Sequence, residues 1–344
     1  MQPPLLIEFK IFVIKNMSFN KEVPLMTTEI SRPKKVYLEL TRACNLACTH
    51  CLNDSGSRME SELNSEEILG LVERLVTFGI REIRFTGGEP TIHPALEEAI
   101  TLATRLGVKT SIGSNAVAVT KESAVRLFQV GLQKAIISLD GDEQRHDAVR
   151  GAGSFRRSWR GVRALYASGV DVRVNAVAMK TTMDGLRSLA RLCVEEGVHL
   201  FIRCYIPSGR AVGNLSEFPT NVDYARLRTE LHPFVQQGAV DGHYLAANKH
   251  EMCSAGNSGF VILPNGDVKS CGFLSELGES SYGNIRSEEL PTIWDRVRSS
   301  RFLAESKSSL EPWSNRRSDL PRTNCPAVAI GGGEVLVQLR RRSS

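Results

Sequence analysis

No apolar run in this chain reaches the roughly 20 residues that a membrane-spanning helix needs, so nothing in it reads as a bilayer anchor of that kind. The early apolar stretch Leu5 to Ile14 is interrupted by Glu8 and Lys10 and lacks a small-residue cleavage site, so it does not read as an export signal. Met17 and Met26 are alternative starts, and residues 1–33 are expected to form a leader outside the core. A strong excess of one charge is also missing. The net charge is +5 over 344 residues, and Arg340, Arg341 and Arg342 supply part of it, which argues against a nucleic-acid binder. The eight cysteines lack the spacing of a disulfide framework, and with no export signal the expected compartment is the cytoplasm. The composition that remains, 42% apolar and 24% charged, is that of a globular protein. The length allows one large α/β domain with a smaller companion.

Cysteines do gather once. Cys44, Cys48 and Cys51 lie in Thr41-Arg-Ala-Cys-Asn-Leu-Ala-Cys-Thr-His-Cys51, just past the strand-like stretch Val36 to Leu40. Three thiols this close are too near and too odd in number for disulfides, so iron–sulfur or zinc ligation is the reading. Three protein ligands rather than four leave one metal position open for chemistry.

Five times along the chain a helical pattern ends at a glycine and is followed by a strand. The strands open at Gly79-Ile-Arg-Glu-Ile, Gly107-Val-Lys-Thr, Gly131-Leu-Gln-Lys, Gly169-Val-Asp-Val and Gly197-Val-His-Leu. Glycine suits the left-handed position just past a helix, so each unit reads as helix, stop, strand. Ile68, Leu71, Val72, Leu75 and Val76 recur at helical spacing, and Asn64 with Glu67 predicts a capping box at that helix's start. Alternating helices and strands imply a parallel sheet with right-handed crossovers. Counting the strand before the cysteines gives six, short of a closed (β/α)8 barrel, so a partial (β/α)6 barrel is expected.

Chemistry in such folds gathers where strands end. The cysteines follow the first strand, Thr86-Gly-Gly-Glu-Pro90 the second, Gly113-Ser-Asn115 the third and Ser138-Leu-Asp-Gly141 the fourth. Together these motifs resemble the radical S-adenosylmethionine (radical SAM) superfamily. His146-Asp-Ala-Val-Arg-Gly-Ala-Gly-Ser-Phe155, Pro207-Ser-Gly-Arg-Ala211 and Gly283-Asn-Ile285 are similar to its branch with SPASM or twitch C-terminal domains. The resemblance runs from about Lys35 to Pro326. It implies a [4Fe–4S] cluster on Cys44, Cys48 and Cys51, whose fourth iron takes the amino and carboxylate groups of SAM. One electron then cleaves the sulfonium to a 5′-deoxyadenosyl radical, which removes a hydrogen atom from substrate. A flavodoxin or ferredoxin is the implied electron donor.

The resemblance also implies roles around the rim. Gly87 and Gly88 let backbone approach the ligand, Glu89 accepts from the SAM ammonium, and Pro90 stiffens the turn. Ser114 and Asn115 are candidates for the ribose hydroxyls or the SAM carboxylate, with a strand-to-helix cap as the plainer reading. Ser138 and Asp140 are placed with them. Arg150 is a candidate partner for the SAM carboxylate, with a surface ion pair as its alternative. Asn175 faces either the ribose or a satisfied core. His50 is expected to pack beside the cofactor, and Arg210 and Tyr205 either line the rim or serve structure. Cys193 and Cys204 read as core thiols, with Cys204 the outside candidate for a fourth ligand.

The C-terminal third departs from the family pattern. Cys253, then Gly266 and Ser270-Cys271, match a twitch or SPASM opening, with a hairpin between them turning at Asn265-Gly266. The dense CxxC-containing cluster of a full SPASM domain is absent, and only Cys325 follows. The implication is one auxiliary cluster on Cys253, Cys271 and Cys325, not two. The alternatives are leftover thiols, or Cys253 or Cys271 as a thiol hydrogen donor, with Cys253 the catalytic candidate. The expected organisation is a barrel over 34–235, a twitch/SPASM-like α+β domain over 236–330 and a basic tail over 331–344. Peptide maturation by crosslinking, oxidation or epimerisation is the first expectation for the reaction. It would need a separate peptide-recognition protein, because no extension long enough for one is present. The second expectation is an epimerase, dehydrogenase or decarboxylase of an aminosugar or nucleoside; the third is a non-catalytic iron–sulfur or nucleic-acid-binding protein.

Overall fold

The computed structural model describes residues 32–213, 215–242, 255–275 and 279–300. The leader, Cys253, Cys325 and the basic tail lie outside them. Six parallel strands follow one another: β1 (Lys35–Glu39), β2 (Glu82–Thr86), β3 (Lys109–Ser114), β4 (Lys134–Ser138), β5 (Asp171–Ala178) and β6 (His199–Cys204). Helices Ser65–Phe78, Leu96–Arg105, Lys121–Gln129, Ser154–Ala167 and Lys180–Glu195 link them. The first of these begins in the predicted capping box, with Asn64 accepting from the Glu67 amide, and stops at left-handed Gly79 (φ 106°). Gly107, Gly131, Gly169 and Gly197 end the later units with positive φ as well.

Three further strands extend the sheet. β7 (Val240–Gly242) pairs with β6, β8 (Gly259–Ile262) lies parallel to β1, and β9 (Val268–Lys269) returns antiparallel to β8 through the expected turn at Asn265–Gly266. The order is β7-β6-β5-β4-β3-β2-β1-β8-β9, so the sheet is open, a partial barrel with both edges extended. Hydrogen bonding thus crosses the division at 235/236 drawn from the sequence.

Successive rows of the sheet differ sharply. Leu38, Phe85, Ile112, Ala135 and Val172 are aligned across five strands and pack with the helices in one buried cluster. The row one residue earlier is Tyr37, Arg84, Ser111, Lys134 and Asp171. Side chains alternate along a strand, so this polar row lies on the face opposite the helices. A closed barrel fills that face with branched apolar layers. Here it is a polar concave wall.

Candidate functional site

The cysteine loop begins where β1 ends, and the chain itself shapes it. Leu40 N donates to Thr86 O (2.9 Å), Gly88 N to Thr41 O (2.6 Å) and Glu89 N to Ala43 O (2.9 Å). The loop therefore zips along the exit of β2. A Cβ at Gly88 would stand 2.1 Å from Ala43 O, and one at Gly87 2.5 Å from Thr41 O. The two glycines make room for the protein's own cysteine loop, a reason the ligand-centred reading of this motif did not contain. Pro90 is buried and opens the short 3-10 turn Pro90–Ile92.

Glu62 secures the other side of the loop, and no motif pointed to it. Its buried carboxylate accepts from Thr41 Oγ1 (2.9 Å), Arg42 N (2.7 Å), Met59 N (3.0 Å) and Arg58 Nε (3.0 Å). Burial pushes its pKa up, but these donors outweigh it and hold the group below its ordinary value. Arg42 also reaches Asn53 O (2.9 Å), and Asn53 Nδ2 reaches Glu39 Oε1 (3.1 Å).

Each of the three sulfurs has a donor nearby. Ser55 N lies 3.3 Å from Cys51 Sγ, Asn115 Nδ2 3.8 Å from Cys44 Sγ, and Arg150 Nη1 3.8 Å from Cys48 Sγ. Burial raises the pKa of Cys44 and of Cys48, and for Cys48 the charge of Arg150 works in the opposite direction. Among the described residues no three His, Cys, Asp or Glu side chains converge where one metal ion could sit. A single zinc would draw its thiolates to about 2.3 Å from one point. An iron–sulfur cluster spreads its thiolates over several irons, and hydrogen bonds to sulfur are among the protein's means of tuning it. A donor beside each of the three sulfurs suits such a cluster.

Glu89 is fully buried, and Thr91 N (3.0 Å), Thr91 Oγ1 (2.6 Å), Ser114 Oγ (2.7 Å) and Asn115 N (2.7 Å) all donate to it. Burial pushes its carboxyl up against these donors. It ties the β2 rim to the β3 rim. Asn115 goes on to Asn45 Oδ1 (2.7 Å), and Ala116 beside it takes φ 55°, a strained value for a residue with a Cβ.

Asp140 is equally buried and holds a knot. Its carboxylate accepts from Arg150 Nε (2.6 Å) and Val177 N (2.7 Å) and stands 3.1 Å from His50 Nε2. Burial opposes its ionisation, but Arg150 and His50 overcome this and keep it far below the carboxylate range. Arg150 Nη2 lies 3.3 Å from His50 Nε2, so all three nitrogens of this guanidinium have partners inside the protein, one of them the Cys48 sulfur. The structure thus gives Arg150 a sulfur and two side chains where a SAM carboxylate was expected. His50, itself on the cysteine loop between Cys48 and Cys51, is held against Asp140 and Arg150. Ser138 is half-buried at the end of β4, and Asn175 accepts from Arg203 Nε (2.8 Å) on the neighbouring strand.

Among the other cysteines, Cys271 is half-buried two residues past the end of β9. Cys193 is fully buried, its thiol pushed up to about 12 by burial. Cys204 is corrected as a fourth-ligand candidate. It shares the alternation of Leu200 and Ile202, is 4% exposed, and so belongs to the helix face rather than the concave one. Tyr205 donates to Ala211 O (3.1 Å) from a buried position, which makes it structural.

A curled parallel sheet whose first strand runs into three thiols, with glycine-backed rim loops locked beside them, defines an iron–sulfur enzyme of the SAM-cleaving kind. The chain belongs to the radical SAM superfamily: the sequence model of that superfamily matches residues 38–193, and that of the SPASM iron–sulfur cluster-binding domain matches 253–317. The second match contains Cys253 and Cys271 and stops short of Cys325. The mycofactocin maturase MftC of Mycobacterium tuberculosis is 31% identical over 86% of this chain and 78% of its own length. The AdoMet-dependent heme synthase of Nitratidesulfovibrio vulgaris is 29% identical over 76% of this chain and 78% of its own. Among solved structures, SuiB of Streptococcus suis bound to its precursor peptide SuiA overlays with a TM-score of 0.66 at 17% identity, covering 86% of this chain and 78% of that one, a likeness of fold. The protein is therefore an enzyme whose cofactors are a [4Fe–4S] cluster and SAM, with auxiliary iron–sulfur ligation implied by the SPASM match. No described helix is long and apolar enough to cross a membrane.

Proposed function

We propose that this enzyme abstracts a hydrogen atom from a ribosomally made precursor peptide during its maturation. The observation that carries the reading is the three-thiol loop with a donor at each sulfur, joined to 31% identity with the mycofactocin maturase MftC over most of both chains. A cluster bound there would supply one electron to the sulfonium of SAM; the protein's own residues hold the loop and place the Arg150 charge at Cys48. Cys44, Cys48 and Cys51 hold the cluster, and Gly87, Gly88, Glu89, Ser114 and Asn115 build the rim where SAM binds. A flavodoxin- or ferredoxin-type donor and a separate peptide-recognition protein are its proposed partners, and the cytoplasm its proposed location. The test is anaerobic incubation of reconstituted enzyme, SAM and reductant with short precursor peptides encoded beside its gene. Mass spectrometry should show a change in peptide mass together with 5′-deoxyadenosine. Vigorous 5′-deoxyadenosine release with every such peptide unchanged would overturn the peptide reading while keeping the reaction class.

A second reading, a carboxylate-bearing small molecule, has one observation in its favour. On the concave wall Glu82 is paired with Lys35, and Asp171 lies between Lys134 and Arg173. Arg84 has no carboxylate among the described residues; it lies 5.1 Å from the centre of the Tyr37 ring and 3.4 Å from Ser111 Oγ. An arginine without a carboxylate partner on a polar sheet face suits a planar anionic group. Arg84→Gln should raise KM for such a substrate by about tenfold or more and leave substrate-free SAM cleavage unchanged. An unaltered KM would remove this support.

A further inference from the structure

The motif Pro207-Ser-Gly-Arg-Ala211 follows β6, which four strands separate from β1 in the sheet, yet it meets the cysteine loop. Arg210 N donates to Cys51 O (2.9 Å). Its side chain donates through Nη1 to Cys48 O (2.8 Å), through Nη2 to Ser55 O (2.7 Å) and through Nε to Asp54 Oδ1 (2.9 Å). Four bonds from one residue thus grip the segment that carries two of the three thiols.

The grip is built and not incidental. Asp54 takes φ 46°, a left-handed value uncommon for a residue with a Cβ, and Arg210 holds its carboxylate there. Gly209 (φ 56°) approaches so closely that a Cβ would lie 2.0 Å from Leu52 O and 2.6 Å from Cys51 O. Tyr205, Ala211, Val149 and Met179 form a small buried cluster behind the turn, and Val149 O accepts from Thr49 N (2.9 Å), so the same support reaches the loop twice. Between Leu40 and Asn64 the loop has no helix and no strand longer than a single bridge, so it lacks a regular hydrogen-bond ladder of its own. The three acceptors are met by three different nitrogens of one planar guanidinium, a spread of donors that the compact ammonium of a lysine does not match.

We infer that Arg210 is a positioning residue that presets the cysteine loop in its ligating shape and retains the cluster there, tying the exit of β6 to that of β1 across the barrel mouth. The inference rests on Cys44, Cys48 and Cys51 holding a cluster; a wild-type protein that takes up no iron would sink that reading instead.

Arg210→Gln, Arg210→Lys and Asp54→Ala separate the parts. Without its cluster each full-length variant should melt within about 4 °C of wild type, because only a surface loop is released. Reconstituted Arg210→Gln and Arg210→Lys should both lose iron to a chelator about tenfold faster than wild type, because charge without the fork cannot bridge the carbonyls. Asp54→Ala should lose it about twofold faster, since its partnered carboxylate is exposed. Arg210→Gln alone should also lower the cluster's reduction potential, because a cation near the cluster favours the more negative reduced state. Wild-type iron loss in Arg210→Lys and Asp54→Ala would overturn the inference. So would faster loss only in step with a fall in melting temperature of the cluster-free chain, which would make Arg210 a residue of the general fold.

Discussion

Replacing Cys44, Cys48 and Cys51 together with alanine removes about four irons per chain from the anaerobically reconstituted protein and abolishes cleavage of SAM. Apart from the three donors to sulfur, the loop that carries them is held without the thiols. It is fastened to the β2 exit, to Glu62 and to Arg210 through backbone groups, so the variant should fold and show wild-type circular dichroism. Iron analysis of wild type beside the variant also counts the clusters. About four irons falling to none means one cluster, which makes Cys271 and Cys253 candidate hydrogen donors rather than ligands and brings redox-neutral epimerisation forward. About eight falling to four means an auxiliary cluster held by the C-terminal cysteines, which favours net oxidation or crosslinking. A variant that keeps all its iron would contradict the site as described.

Asp140→Asn is expected to lower the stability of the cluster-free protein at pH 7.5 by about 3–5 kcal/mol, read as a shift in the urea midpoint at constant slope. The asparagine oxygen can still accept from Val177 N, so the loss isolates the charge. Arg150, 11% exposed, would be left as a buried cation facing His50 and a cysteine. The depressed pKa of Asp140 means its contribution is complete above the ordinary carboxylate range and is lost only as the pH falls below it. His146 adds an earlier slope. Burial first, then Arg150, lowers its pKa from 6.5 to about 4, so between those values the unfolded chain binds a proton that the folded one refuses. Stability should therefore decline on acidification from neutrality, by on the order of 2 kcal/mol at pH 5. His146→Gln should flatten that decline. A midpoint shift below about 1 kcal/mol in Asp140→Asn would show the knot to be dispensable.

Local signals were legible because their physics is local. Asn64 and Glu67 cap the first helix three residues apart, and five glycines supply left-handed stops, so both could be read without knowing the fold. The hairpin at Asn265–Gly266 is of the same kind. The rim followed from one rule, that loops after parallel strands share an edge. What that rule could not give was orientation. Glu89, Asp140 and Arg150 stand on the expected rim, yet their polar atoms are bonded to one another's neighbourhoods, inside the protein. Cys204 is on the right strand and the wrong face, a matter of one residue in a period of two. Glu62 carried no motif, and its role exists only because the loop folds back onto it.

The sequence by itself determined the superfamily, the alternation of helix and strand, and the three-thiol motif after the first strand, since each depends on residue type and short spacing. The tertiary structure decided the rest: that β8 joins β1 and leaves the barrel open, that the concave face is polar, and that Arg210 and Arg150 address the cysteine loop. Those contacts join residues 100 or more positions apart. Nothing in either local segment announces such a partner, because the bond forms only after the sheet has curled and brought the two loops together.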